Sequence, residues 1–181
     1  LVRKGYPQDV SNTGWACGTL SFEAPNLFAE IERHSEWLVE EGIPQEVANT
    51  AWACAKLGFD APNFFADIDR HSEWLVKEGN PQDIANTAWA CGKLDFHAAN
   101  LFGEIDRHAE MLVKEGNPQA VSNTALACGK LGFHAPNLFA QIGQKAKWLV
   151  IEDKPQAIAS TAWACAKLGF DVTNLLVEVE T

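Results

Sequence analysis

Apolar residues recur along the chain at three- and four-residue spacing, in two kinds of run that alternate and are separated by short breaks of Gly, Pro, Asn or Asp. That spacing is the period of helices rather than the alternation of strands. The first kind of run is PQEVANTAWACAKL from Pro44. On a wheel turning about 100° per residue, Val47, Thr50, Ala51, Cys54 and Leu57 form one arc, and Ala48, Trp52 and Ala55 form a second beside it. Two apolar arcs predict a helix, helix A, buried on two sides. Proline suits its first turn, and Asn80 and Asn117 stand before Pro81 and Pro118 where an N-cap belongs. Gly58 followed by Phe59 predicts a left-handed close with a hydrophobic clasp, and Asp95 takes that glycine's place one copy later. The second kind, NFFADIDRHSEWLVKEG, sets Phe65, Ile68, Ser72, Leu75 and Val76 at helical spacing and stops at Gly79. It predicts one helix B.

The runs repeat. Pro7, Pro44, Pro81, Pro118 and Pro155 are spaced 37 residues apart, as are Cys17, Cys54, Cys91, Cys128 and Cys165. Two helices per period predict an all-α fold, an α-solenoid of helix-turn-helix repeats with a 37-residue period. Its units are residues 7–43, 44–80, 81–117 and 118–154, with a partial repeat at 155–181. Residues 1–6 read as the end of a preceding repeat, because LVRKGYPQ aligns with LVEEGIPQ at Leu38 to Gln45, so a longer parent protein is expected.

Between the two arcs of helix A remains a strip holding Gln45, Asn49, Ala53 and Lys56. It recurs as Gln8 and Asn12 with Thr19, as Gln82, Asn86 and Lys93, as Gln119, Asn123 and Lys130, and as Gln156, Ser160 and Lys167. Stacking would align these residues in rows. Two readings stay open: the amides fix each repeat on the next, or they meet the edges of unstacked bases while the lysines hold phosphates.

Composition narrows the other classes. A chain of 181 residues that is 47% hydrophobic can bury a core, and its apolar clusters are too short to predict a membrane span. The net charge of −10 argues against general affinity for polyanions, but it is uneven. From each repeat proline to the Phe fifteen residues on, the acids Asp9, Glu46, Asp83 and Asp95 balance Lys56, Lys93, Lys130 and Lys167. The acid surplus therefore falls on helix B and the turns, which offers an acidic face to basic protein partners.

The cysteines lack the short spacing of zinc sites, and equivalent positions on neighbouring helices, about 9–10 Å apart, exceed disulfide reach. They read as small apolar fillers. His34, His71 and His108 read as packed or hydrogen-bonded helix B residues, and His97 and His134 as solvated turn residues. Trp15, Trp52, Trp89 and Trp163, with Leu126 in the fourth copy, are expected in the core, and Trp37, Trp74 and Trp148 at the junctions between repeats. Almost every polar residue has a copy one period away, so no unlike groups converge as catalysis requires; neither an active site nor a cofactor is expected.

The run PQEVANTAWACAKLG, with PQDIANTAWACGKLD and PQAVSNTALACGKLG, resembles the first helix of octotricopeptide repeats. It is also similar to the helical arrays of FAST-kinase-like proteins and of subunits of the kinetoplastid RNA-editing substrate-binding complex. The resemblance implies an α-solenoid that binds single-stranded RNA in chloroplasts or mitochondria and governs its stability, processing, editing or translation. It places RNA contacts at Asn12, Asn49, Asn86, Asn123 and Ser160, with the adjoining Gln and Lys residues.

Overall fold

The computed structural model describes residues 2, 5–152 and 154–180. Leu1, Arg3 and Lys4 of the leading segment, Asp153 and Thr181 lie outside the described residues. All regular elements described are helices. Five of fourteen residues open at the repeat prolines: α1 (Pro7–Leu20), α4 (Pro44–Leu57), α7 (Pro81–Leu94), α10 (Pro118–Leu131) and α13 (Pro155–Leu168). The caps take the expected form. Asn80 Oδ1 accepts from the N–H of Gln82 and of Asp83, and Asn117 Oδ1 from that of Ala120. Gly58, Gly132 and Gly169 close their helices at positive φ, as do Ser21 and Asp95. The Phe N–H that follows each of these residues donates to the cysteine carbonyl five residues back, as Phe59 does to Cys54 at 2.8 Å.

Helix B is not one helix. Each copy is broken, giving α2 (Pro25–Arg33) and α3 (Ser35–Glu41), α5 (Pro62–Arg70) and α6 (Ser72–Glu78), α8 (Ala99–Arg107) and α9 (Ala109–Glu115), and α11 (Pro136–Gln144) and α12 (Ala146–Glu152). The partial repeat ends in α14 (Thr173–Glu180). At the break His71 has φ −101° and ψ 18°, and Lys145 takes nearly the same angles, so imidazole is not the cause. The second half of each copy lies against the first half of the next: α3 packs on α5, α6 on α8, α9 on α11 and α12 on α14. The first halves also meet one another, α2 with α5, α5 with α8 and α8 with α11. His71 and His108 fit the bend by placing Nδ1 at 2.9 and 3.0 Å from the carbonyls of Asp67 and Glu104.

The A helices pack in chain order, α1 on α4, α4 on α7, α7 on α10 and α10 on α13, to make one layer of a helical solenoid; the broken B helices make the other. Three devices join the repeats. Small residues let the A helices approach: a Cβ on Gly129 would stand 2.8 Å from Ala164 Cβ, and one on Gly92 would stand 3.0 Å from Ala127 Cα. Aromatic pairs cross each boundary, Phe28 to Phe59, Phe65 to Phe96 and Phe102 to Phe133 with ring centroids 5.5 Å apart, and Phe139 stacked on Phe170 at 4.5 Å. The third device is a helix cap supplied from outside. Ala61, Ala98 and Ala135 stand at N-cap positions and have no side chain to satisfy the first turn. The preceding repeat provides the acceptor: Glu32 takes the N–H of Asn63 and Phe64, Asp69 that of Leu101 at 2.9 Å, and Asp106 that of Leu138 at 2.9 Å. Asn100 and Asn137 add their side-chain amides to the same carboxylates. Gly143 stands where the next carboxylate would be, and there Asp171 accepts from Thr173 N–H within its own turn.

A carboxylate facing a helix N-terminus is worth about 1–2 kcal/mol. Asp69→Ala is expected to lower the unfolding free energy by about that amount in urea denaturation, with Asp69→Asn recovering part of it. An unchanged midpoint in Asp69→Ala would show that this cap does not hold the junction.

Candidate functional site

In each A helix the side chains at the first amide position and four, seven and eleven residues beyond it lie within about 60° of one another. In α4 these are Gln45, Asn49, Trp52 and Lys56. The equivalent sets are Gln8, Asn12, Trp15 and Thr19; Gln82, Asn86, Trp89 and Lys93; Gln119, Asn123, Leu126 and Lys130; and Gln156, Ser160, Trp163 and Lys167. The five glutamines, the four lysines and Asn12 are exposed, whereas Asn49, Asn86, Asn123 and Ser160 are half-buried.

Two assignments made from the sequence change. Ala53 is completely buried, as are its equivalents Ala90 and Ala164, because this position meets the small residues of the preceding A helix. It does not belong to the open strip. The tryptophan does. Trp15 is 50% and Trp163 45% exposed, Trp52 and Trp89 are half-buried with one side against the core, and Leu126 is half-buried. The signal was present in the i, i+4, i+7, i+11 spacing, but the hydrophobicity of indole favoured the core. Trp37, Trp74 and Trp148 of the B layer are half-buried against the core.

The amides do not tie the repeats together. Gln82 Nε2 donates to Asn86 Oδ1 at 2.8 Å within α7, and Ser160 Oγ donates to the Gln156 carbonyl at 2.9 Å within α13. Among the described residues, the strip's bond across a repeat boundary is that of Lys167 Nζ to the Lys130 carbonyl at 3.4 Å. The same Nζ lies 4.9 Å from the centroid of the Trp163 ring. The strip thus combines amide edges, aromatic faces and cations.

No acid stands in it. Asp9 and Glu46 are drawn aside to the N–H groups of Tyr6 and Ile43, and buried Asp83 accepts from Asn80 N–H. Desolvation pushes the Asp83 carboxyl above its usual range, with the Asn80 hydrogen bond opposing. The balance shifts along the layer. Asp9 is unmatched by lysine in α1, α4 and α7 each hold one acid and one lysine, and α10 and α13 hold only Lys130 and Lys167.

The five cysteines are buried free thiols behind this face. Burial pushes the thiols of Cys54, Cys91 and Cys128 far up, and that of Cys165 up to about 11. No cluster of three or more His, Cys, Asp or Glu suited to a metal ion occurs among the described residues. No described helix is long and apolar enough to cross a membrane.

No family model and no curated protein matches this chain.

Because burial raises these pKa values, the reactive thiolate is scarce at pH 8 in the folded protein. Cys54, Cys91 and Cys128 are expected to resist a maleimide at that pH and to label once denaturant unfolds the chain. Rapid labelling of all three in the native state would contradict the buried seam.

Proposed function

We propose that this chain is an RNA-binding α-solenoid segment without catalytic chemistry of its own, which holds single-stranded RNA along the open face of its A helices. One observation carries the reading: the strip amides share a face with tryptophans and lysines and, among the described residues, form no hydrogen bond between repeats, which are joined by the small-residue seam, the phenylalanine pairs and the carboxylate caps. These are the groups single strands require. Indole stacks on any base, amides meet exposed base edges, and lysines neutralise phosphates. Gln8, Asn12, Gln45, Asn49, Lys56, Gln82, Asn86, Lys93, Gln119, Asn123, Lys130, Gln156, Ser160 and Lys167 are the proposed contacts, with Trp15, Trp52, Trp89 and Trp163 between them. The octotricopeptide-like run in helix A extends the proposal to organellar RNA metabolism in a chloroplast or mitochondrion.

A second reading, a scaffold for basic proteins, draws on the B layer. The segment α3 carries Glu36, Glu40 and Glu41, all exposed, and no base. The two readings use different faces and separate in one titration.

Binding of labelled oligouridylate is the test, followed by anisotropy across a range of salt. If four lysines neutralise four phosphates, the slope of log K against log salt is about −3. Replacing Asn49, Asn86 and Asn123 together by alanine is expected to weaken binding about tenfold or more while the far-ultraviolet spectrum stays helical. Unchanged affinity in the triple variant would remove the amides from the site. No binding of wild type at low salt would leave the scaffold reading.

A further inference from the structure

The strip has one gap in its aromatic row. At position 126 the repeat carries leucine where the other A helices carry tryptophan. A cavity of about 250 Å³ opens at this point, with Trp89 as one wall, Leu126 and Ala157 as apolar surface and Gln119, Asn123, Gln156 and Ser160 around it. A missing indole leaves room for another flat bicyclic ring. The charge of the layer points to the same place: α10 and α13 are the A helices with a lysine and no acid, and Lys154 stands on the edge of the cavity. No hydrogen bond within the described residues engages the amides of Gln119, Asn123 or Gln156, in contrast to the Gln82–Asn86 pair one repeat earlier.

We infer that the gap at Leu126 is a subsite for one purine base of a bound single strand, stacked on Trp89 and read at its edge by Asn123 and Gln156. The strand's phosphates run past Lys130, Lys154 and Lys167. Elsewhere on the layer the indoles are sequence-tolerant platforms, because every base has a π-face. At Leu126 the ring enters the layer, and an enclosed base meets amide groups that can pair with a purine edge. The inference rests on the RNA-binding reading and adds base preference to it.

The experiment compares a twelve-residue oligouridylate with the same strand carrying one central adenosine. Wild type is expected to bind the adenosine strand at least about fivefold more tightly, within the range of one stacked and hydrogen-bonded base. Leu126→Trp fills the gap with the residue found in the other repeats and is expected to bring the ratio to about one, with oligouridylate affinity no weaker than that of wild type. The pair Asn123→Ala and Gln156→Ala, which leaves the cavity open, is expected to reduce the ratio as well. A wild-type ratio of one with intact oligouridylate binding would overturn the subsite alone, and so would a preference that survives Leu126→Trp. Failure of wild type to bind either strand would overturn the RNA reading and the subsite with it.

Discussion

The architecture depends on how closely one A helix can lie against the next. Gly18 faces Trp52 and Ala53, Gly92 faces Ala127, and Gly129 faces Ala164, at distances where an added Cβ would collide with backbone or ring atoms. Small residues at this seam bring the helices together and bury Ala53, Ala90, Ala127 and Ala164 almost completely. Each interior A helix is thereby buried on two sides and against its own B helices. A single outward direction is left. The uniformity of the strip follows, since in a stacked array each repeat meets only its neighbours and repeats the same compromise.

Most of the local structure was legible in the sequence because its signals are local. The repeat prolines, the Asn80 and Asn117 caps, the left-handed Gly58 with Phe59 behind it, and the cysteines on the buried arc all act within one turn of their own helix. The parts that escaped depend on neighbours. The break at His71 parts α5 from α6, both of which pack on α8 of the next repeat, and nothing in DRHSEW marks it. Carboxylate caps such as Asp69 to Leu101 join residues thirty-two apart, and the helix that receives the cap begins with alanine and shows no capping residue of its own. Of the candidate site, the glutamine and lysine rows are exposed as the wheel placed them, Asn49, Asn86 and Asn123 only half so, and the tryptophans expected in the core reach the same face. Trp52 lies near the border between the second arc and the strip, where hydrophobicity alone decides for burial; Ala53 carries no polarity with which to correct it.

The acidic net charge and the proposed polyanion ligand are compatible because the charges are segregated. Acids on the A helices are tied to helix starts, where they offset the helix dipole, and the lysines stand at the far end of the strip. The exposed glutamates of α3, α6 and α9 lie in the other layer. At physiological ionic strength the reach of a charge is about 8 Å, so a strand on the A face meets mainly the lysines beside it. The division of work is clear in the aromatic residues as well. Phenylalanines join the repeats, B-layer tryptophans pack against the core, and A-layer tryptophans keep one side on the open face.

That division supplies the most direct measurement, because the chain has seven tryptophans, four in A helices and three in B helices. Photocrosslinking of a 4-thiouridine-substituted single strand, with peptides mapped by mass spectrometry, asks which layer the RNA touches. The account predicts adducts on peptides holding Trp52, Trp89 or Trp163 and their neighbouring lysines, and none at Trp37, Trp74 or Trp148. Adducts confined to the B-layer peptides would contradict it.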